Sequence, residues 1–111
     1  KGHVCIDFAN EHEYAIARPF VLKEDGMYKM WYSVRESAKA KTYRIGYAES
    51  PDGMNWKRMD DEVGLDVSGD GWDSEMIEYG FIYDHGGKRF MLYNGNSFGK
   101  TGVGLAVLDN S

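Results

Sequence analysis

The sequence predicts an all-β fold made of four-stranded antiparallel units, about two per chain, and three observations carry that prediction. The first is a repeat. Phe20-Val21-Leu22, a turn at Asp25-Gly26, Met30-Trp31-Tyr32-Ser33, a loop, and Ile45-Gly46-Tyr47-Ala48 are echoed later in the chain. The echo runs Phe81-Ile82-Tyr83, Gly86-Gly87, Met91-Leu92-Tyr93-Asn94, a shorter loop, and Val103-Gly104-Leu105-Ala106. The second observation is composition: 14% of residues are aromatic, and eight are tyrosines. The third is the regular punctuation of short apolar runs by Gly, Asp, Asn and Pro, which marks strands and turns. Repeats of strands at this length point to propeller blades or solenoid turns.

Seven segments read as strands: Val4 to Phe8, Pro19 to Leu22, Met27 to Ser33, Tyr43 to Glu49, Tyr79 to Tyr83, Arg89 to Asn94 and Gly102 to Leu108. In the third, Tyr28, Met30 and Tyr32 share one face while Lys29 and Trp31 share the other. Asp25-Gly26 and Gly86-Gly87 suit tight hairpins, because such turns need positive φ. Gly46 with Ala48, and Gly104 with Ala106, leave room on one face for close approach. Ser50-Pro51-Asp52-Gly53 is a turn leading to Trp56, where an outer strand is expected. The first unit spans about residues 14–60 and the second 61–111. The second lacks a fourth strand, which residues 3–8 are expected to supply from this chain or a neighbour.

Composition excludes several functions. A net charge of −5 opposes nucleic-acid binding, which rests on cationic side chains. No apolar run is long enough for a membrane helix or a signal peptide. The single cysteine, Cys5, rules out an internal disulfide framework and leans the compartment towards the cytoplasm. Two units are few for a repeat architecture, since each unit buries its faces against neighbours. The expectation is a fragment, processed form or trimmed part of a longer protein. As it stands, the chain is expected to form a homo-oligomer, a dimer or tetramer.

A wider set of residues resembles the five-bladed β-propellers of glycoside hydrolase families 32, 43, 62 and 68 and their relatives. The carriers are Ala17-Arg18-Pro19, the Asp25-Gly26 turn into Met30-Trp31-Tyr32-Ser33, and Ile45-Gly46-Tyr47-Ala48-Glu49-Ser50-Pro51-Asp52-Gly53-Met54-Asn55-Trp56. Trp72-Asp73-Ser74-Glu75 and the second copy complete it. The resemblance implies a sugar-binding funnel served by carboxylates from different blades. It makes Glu75 the candidate general acid and Glu78 the fallback. It places Arg18, Trp72, Asp73 and His12 at the substrate. The family often has Arg-Asp-Pro where this chain has Arg18-Pro19, so the orienting aspartate is absent. Arg18 is left to grip a carboxylate or a sugar hydroxyl, or to pair with Glu75, Glu78 or Asp73.

Other patterns carry less. Asp66, Ser68 and Asp70 alternate as a calcium loop would, but Ile77 stands where an EF-hand has its closing glutamate. Glu11-His12-Glu13 with His3 and Cys5 lacks a coherent zinc spacing. No metal and no other cofactor is expected. Two functional classes stay open. One is a glycoside-hydrolase-like module that recognises a glycan, its hydrolytic activity as an isolated chain undetermined. The other is a non-enzymatic oligomeric scaffold built from blades.

Overall fold

The computed structural model describes residues 2–36 and 43–108. Among them, seven strands form two antiparallel sheets in an all-β, propeller-like arrangement. The first sheet contains β1 (Ala15–Glu24), β2 (Met27–Arg35), β3 (Tyr43–Ser50) and the short β4 (Lys57–Arg58) in sequence order. The second contains β5 (Glu78–His85), β6 (Lys88–Asn94) and β7 (Val103–Val107). Part of the loop between β2 and β3, and residues 109–111 of the second unit, lie outside the described residues.

Local chemistry sets each turn. Asp25 and Gly26 both take positive φ, as do Gly86 and Gly87. These are two-residue hairpins whose twist matches the flanking strands. After β3, the Ser50 Oγ accepts the N–H of Gly53 at 2.8 Å, and Asp52 Oδ1 accepts those of Met54 and Asn55, each at 2.8 Å. These bonds, the Asn55 N–H first, hold the Asp52 carboxyl well below its ordinary range. Trp56 closes the turn by donating its indole N–H to the Gly53 carbonyl at 3.0 Å.

Alternation then sorts the side chains. Trp31, Ile45 and Tyr47 face the second sheet and meet Ile77, Ile82, Met91 and Tyr93 in the main core. Met30, Tyr32, Val34 and Ala48 face the other way, under Ile6, Ile16 and Trp56. The small residues admit rings, as their pattern implies. A Cβ on Gly46 would collide with the Tyr32 ring, and one on Gly104 with the Trp72 ring.

Contacts join the sheets from β1 to β5 and from β3 to the residue before β5. Phe20 and Phe81 meet edge to face at 5.1 Å, and the Ile77 N–H donates to the Tyr43 carbonyl at 2.9 Å. Arg89 adds an ion pair to Glu24 of β1 while holding Asp84 beside it. The outward face of the second sheet stays bare: the cross-strand row Phe81, Leu92 and Leu105 is 54%, 38% and 53% exposed.

One expectation is corrected. Within this chain, residues 3–8 form no strand and are not part of the second sheet. They lie along the first sheet's outer turn, where His3 bonds the Met54 carbonyl at 3.0 Å and Arg58 donates to the Asp7 carbonyl at 2.9 Å. These side-chain anchors replace a ladder of backbone bonds. Ile77 is fully buried between the sheets. Ile77→Ala is therefore expected to lower unfolding free energy by about 2–5 kcal/mol, read by denaturant titration with an unchanged slope.

Candidate functional site

The candidate site is built by a distortion that occurs twice. In β1 the pairing with β2 shifts between Ala17 and Phe20; in β5 the pairing with β6 shifts between Glu78 and Phe81. The two bulges occupy equivalent positions of the repeat. Each contains a non-glycine residue in the left-handed region: Arg18 at φ 54° and Tyr79 at φ 58°. Such conformations cost of order 1–3 kcal/mol and concentrate at functional sites. A bulge also re-aims side chains out of the strict alternation of a strand. Here β1 tolerates Pro19 because the bulge, on an edge strand, needs no ladder N–H from it.

The two bulged residues meet. The Arg18 guanidinium lies over the Tyr79 ring, 4.5 Å from its centroid. Tyr79 is further fixed by its own N–H, which donates to the buried Ser33 Oγ at 2.8 Å. Its ring packs against Tyr43 at 5.9 Å, and Tyr43 in turn meets Phe98 at 5.9 Å. Phe98 is carried there by the short turn Asn96–Gly99, where Ser97 and Phe98 are also left-handed.

Glu78, one residue before Tyr79, is fully buried. Neither carboxyl oxygen makes a hydrogen bond of standard geometry among the described residues. Burial raises its pKa above the ordinary glutamate value. Tyr79 and Asn94 approach closely enough to oppose that shift, and so does the charge of Arg18, but desolvation prevails. The same burial, with the Glu78 charge, raises the Tyr79 phenol. A carboxyl with a raised pKa suits proton donation, but both Glu78 oxygens are closed off from solvent, so a ligand oxygen reaches them only once the covering side chains move. At the equivalent bulge of β1 stands Ala17, so the repeat supplies no second carboxylate there.

The sequence candidates divide accordingly. Arg18 and Glu78 come together. Glu75 is exposed, and its backbone N–H is bound by the Asn96 amide oxygen at 2.7 Å. Asp73 is buried and accepts the Tyr93 hydroxyl at 3.2 Å. Trp72 stacks on Tyr93 at 5.5 Å and packs on Gly95 and Gly104. Trp72 and Asp73 thus brace the loop that precedes β5. His12 is exposed and contacts Asn10 and Glu11. Asp66 faces Arg44 at 3.3 Å, and no group of three or more His, Cys, Asp or Glu able to hold a metal occurs among the described residues.

A second polar cluster has no local signature in the sequence. Arg58 grips Glu13 through both terminal nitrogens, at 2.6 and 2.8 Å, and Asp60 at 2.6 Å. Asp60 also accepts the Tyr32 hydroxyl and the Tyr47 N–H. Every partner in it is matched, so it locks residues 7–13 and β4 onto the first sheet. Its members come from distant parts of the chain, and no short motif announces it.

The Glu78 shift has a signed consequence. The folded protein holds this proton more tightly than the unfolded chain. Its contribution to stability is therefore complete below the ordinary pKa of 4.5 and is lost as pH rises from there through the folded pKa. As pH rises above the ordinary value of 4.5, wild type should lose stability relative to Glu78→Gln, measured by denaturation at each pH. A pH-independent difference would mean that Glu78 is not a buried acid.

The comparisons agree with this architecture. No protein-family model matches the chain. It is 47% identical over 110 residues to the uncharacterized protein Rv1502 of Mycobacterium tuberculosis strain H37Rv, and equally to the uncharacterized protein MT1551 of strain CDC 1551. The match covers 99% of this chain but only 36% of either relative's length. Among solved structures, one described as a glycoside hydrolase superposes with a TM-score of 0.78, at 20% identity, over 96% of this chain and 36% of its own. A BT0996 RGII complex gives 0.76 at 20% identity, with the same coverage. Zg3597, a family 117 glycoside hydrolase of the marine bacterium Zobellia galactanivorans, gives 0.65 at 19% identity over 99% of this chain and 40% of its own. At these identities the shared property is the fold: this chain folds like roughly a third of a glycoside hydrolase chain.

Proposed function

We propose that this chain is a carbohydrate-recognising module of glycoside-hydrolase type, with its sugar site at the paired bulges. One observation carries the reading: the fully buried carboxyl of Glu78, its pKa raised by burial, adjoins Tyr79, whose ring has the Arg18 guanidinium 4.5 Å from its centroid. The fold likeness to glycoside hydrolases supports it. In this reading Glu78, and not Glu75, donates a proton towards a glycosidic oxygen. A carboxylate from outside the described residues acts opposite it. The separation of the two then sets inversion or retention. Glu78→Gln should leave oligosaccharide binding in place, followed by calorimetry. Where hydrolysis of unactivated oligosaccharides is measurable, in this chain or in a full-length relative, it should fall by about 10²–10⁴. Failure to bind any of a broad glycan set would overturn the reading.

A second reading rests on the bare outward row Phe81, Leu92 and Leu105, continued by Val103 and Val107. An apolar face of this kind marks an interaction surface. In the chain as it stands, a second copy covers it, making a homo-oligomeric scaffold of blades. Light scattering on a size-exclusion column should then give a discrete dimer or tetramer. A stable monomer would contradict this assembly.

A further inference from the structure

We infer that Arg18 selects a carboxylate-bearing sugar, such as a uronate, over its neutral counterpart. The inference rests on the proposed sugar site at the bulges and names the class of ligand that site takes.

Three of the five arginines are held by carboxylates, and Arg35 lies over the Tyr14 ring at 4.8 Å. Arg58 is held by Glu13 and Asp60, Arg89 by Glu24 and Asp84, and Arg44 by Asp66. Each is satisfied by carboxylates of its own chain. Arg18 has no such carboxylate within ion-pair distance among the described residues. It sits on an exposed bulge, its guanidinium carbon 4.5 Å from the centroid of the Tyr79 ring. Glu78 is near enough for its charge to be felt, yet it does not bond to Arg18. The internal pairing of Arg18 with Glu75, Glu78 or Asp73 is thus not made.

The setting makes this cation a prepared receptor. The Tyr79 ring lies 4.5 Å from the guanidinium carbon and limits where the group can go, and no carboxylate among the described residues takes up its N–H donors. Two parallel N–H groups in a fixed plane match the two oxygens of a carboxylate, a geometry that lysine cannot reproduce. Recognition has to be local, because a protein of net charge −5 repels an anionic glycan at long range. Arg18 and Tyr79 come from equivalent bulges, so the spacing between them is set by the packing of β1 on β5.

The test compares short oligosaccharides ending in galacturonate or glucuronate with those of the same skeleton ending in galactose or glucose. Binding is followed by calorimetry or by NMR shifts. The acidic members should bind at least about tenfold more tightly. Arg18→Gln should erase that preference while leaving the weaker binding of neutral sugars. Arg18→Lys should restore only part of it. Equal affinity for acidic and neutral sugars in wild type would overturn the assignment and leave the carbohydrate reading intact. So would an acidic preference that survives Arg18→Gln, or a stronger preference for sulfated than for carboxylated sugars. Absence of binding by every sugar would overturn both readings. Circular dichroism of each variant confirms that the fold is retained.

Discussion

The structure depends on a shared defect in the first strands of its two sheets. A regular β1 and a regular β5 would pair along their whole length and alternate their side chains without interruption. Instead both slip at the same point of the repeat, between Ala17 and Phe20 and between Glu78 and Phe81. The slip turns Arg18 and Tyr79 towards one another. The strained residues persist because their surroundings over-determine them. Ser33 holds the Tyr79 backbone, Tyr43 holds its ring, and the Phe20–Phe81 contact anchors the strands just beyond the slip.

The rest of the molecule keeps those strands in place. The main core fills the space between the sheets. The Arg89 bridge ties their hairpin ends, and the Arg58 cluster fastens the N-terminal segment to the far side of the first sheet. Matched charges of this kind contribute less through net attraction than through the penalty for leaving either partner alone. They define one arrangement of elements. Glu78 is the contrasting case: a buried acid with no matched partner, tolerated beside Arg18 and Tyr79, is an arrangement that stability alone does not explain.

Much of the fold was legible. The hairpin turns need positive φ, and the residues at Asp25-Gly26 and Gly86-Gly87 declare it. The small residues Gly46 and Gly104 announced close approach, although not which ring would come. The bulges were not legible, because Arg18 and Tyr79 are not residues that signal left-handed backbone. That omission bears on the candidate site: Glu75 and Glu78 look alike in sequence as acids near a strand start, whereas in the structure Glu78 is buried and Glu75 exposed. The segment from Val4 to Phe8 misled for a related reason. Its apolar residues read as a strand, but tertiary anchors from Arg58 and Met54 fixed it elsewhere.

The central claim is that the two bulges place Arg18 on the ring of Tyr79. Proton NMR tests it directly, since an aromatic ring shifts the resonances of protons above its face. The Arg18 Cδ protons should resonate well upfield of their random-coil position, show cross-relaxation to the Tyr79 ring, and return downfield in Tyr79→Leu. Random-coil shifts in the wild-type protein, with no cross-relaxation to Tyr79, would contradict the account.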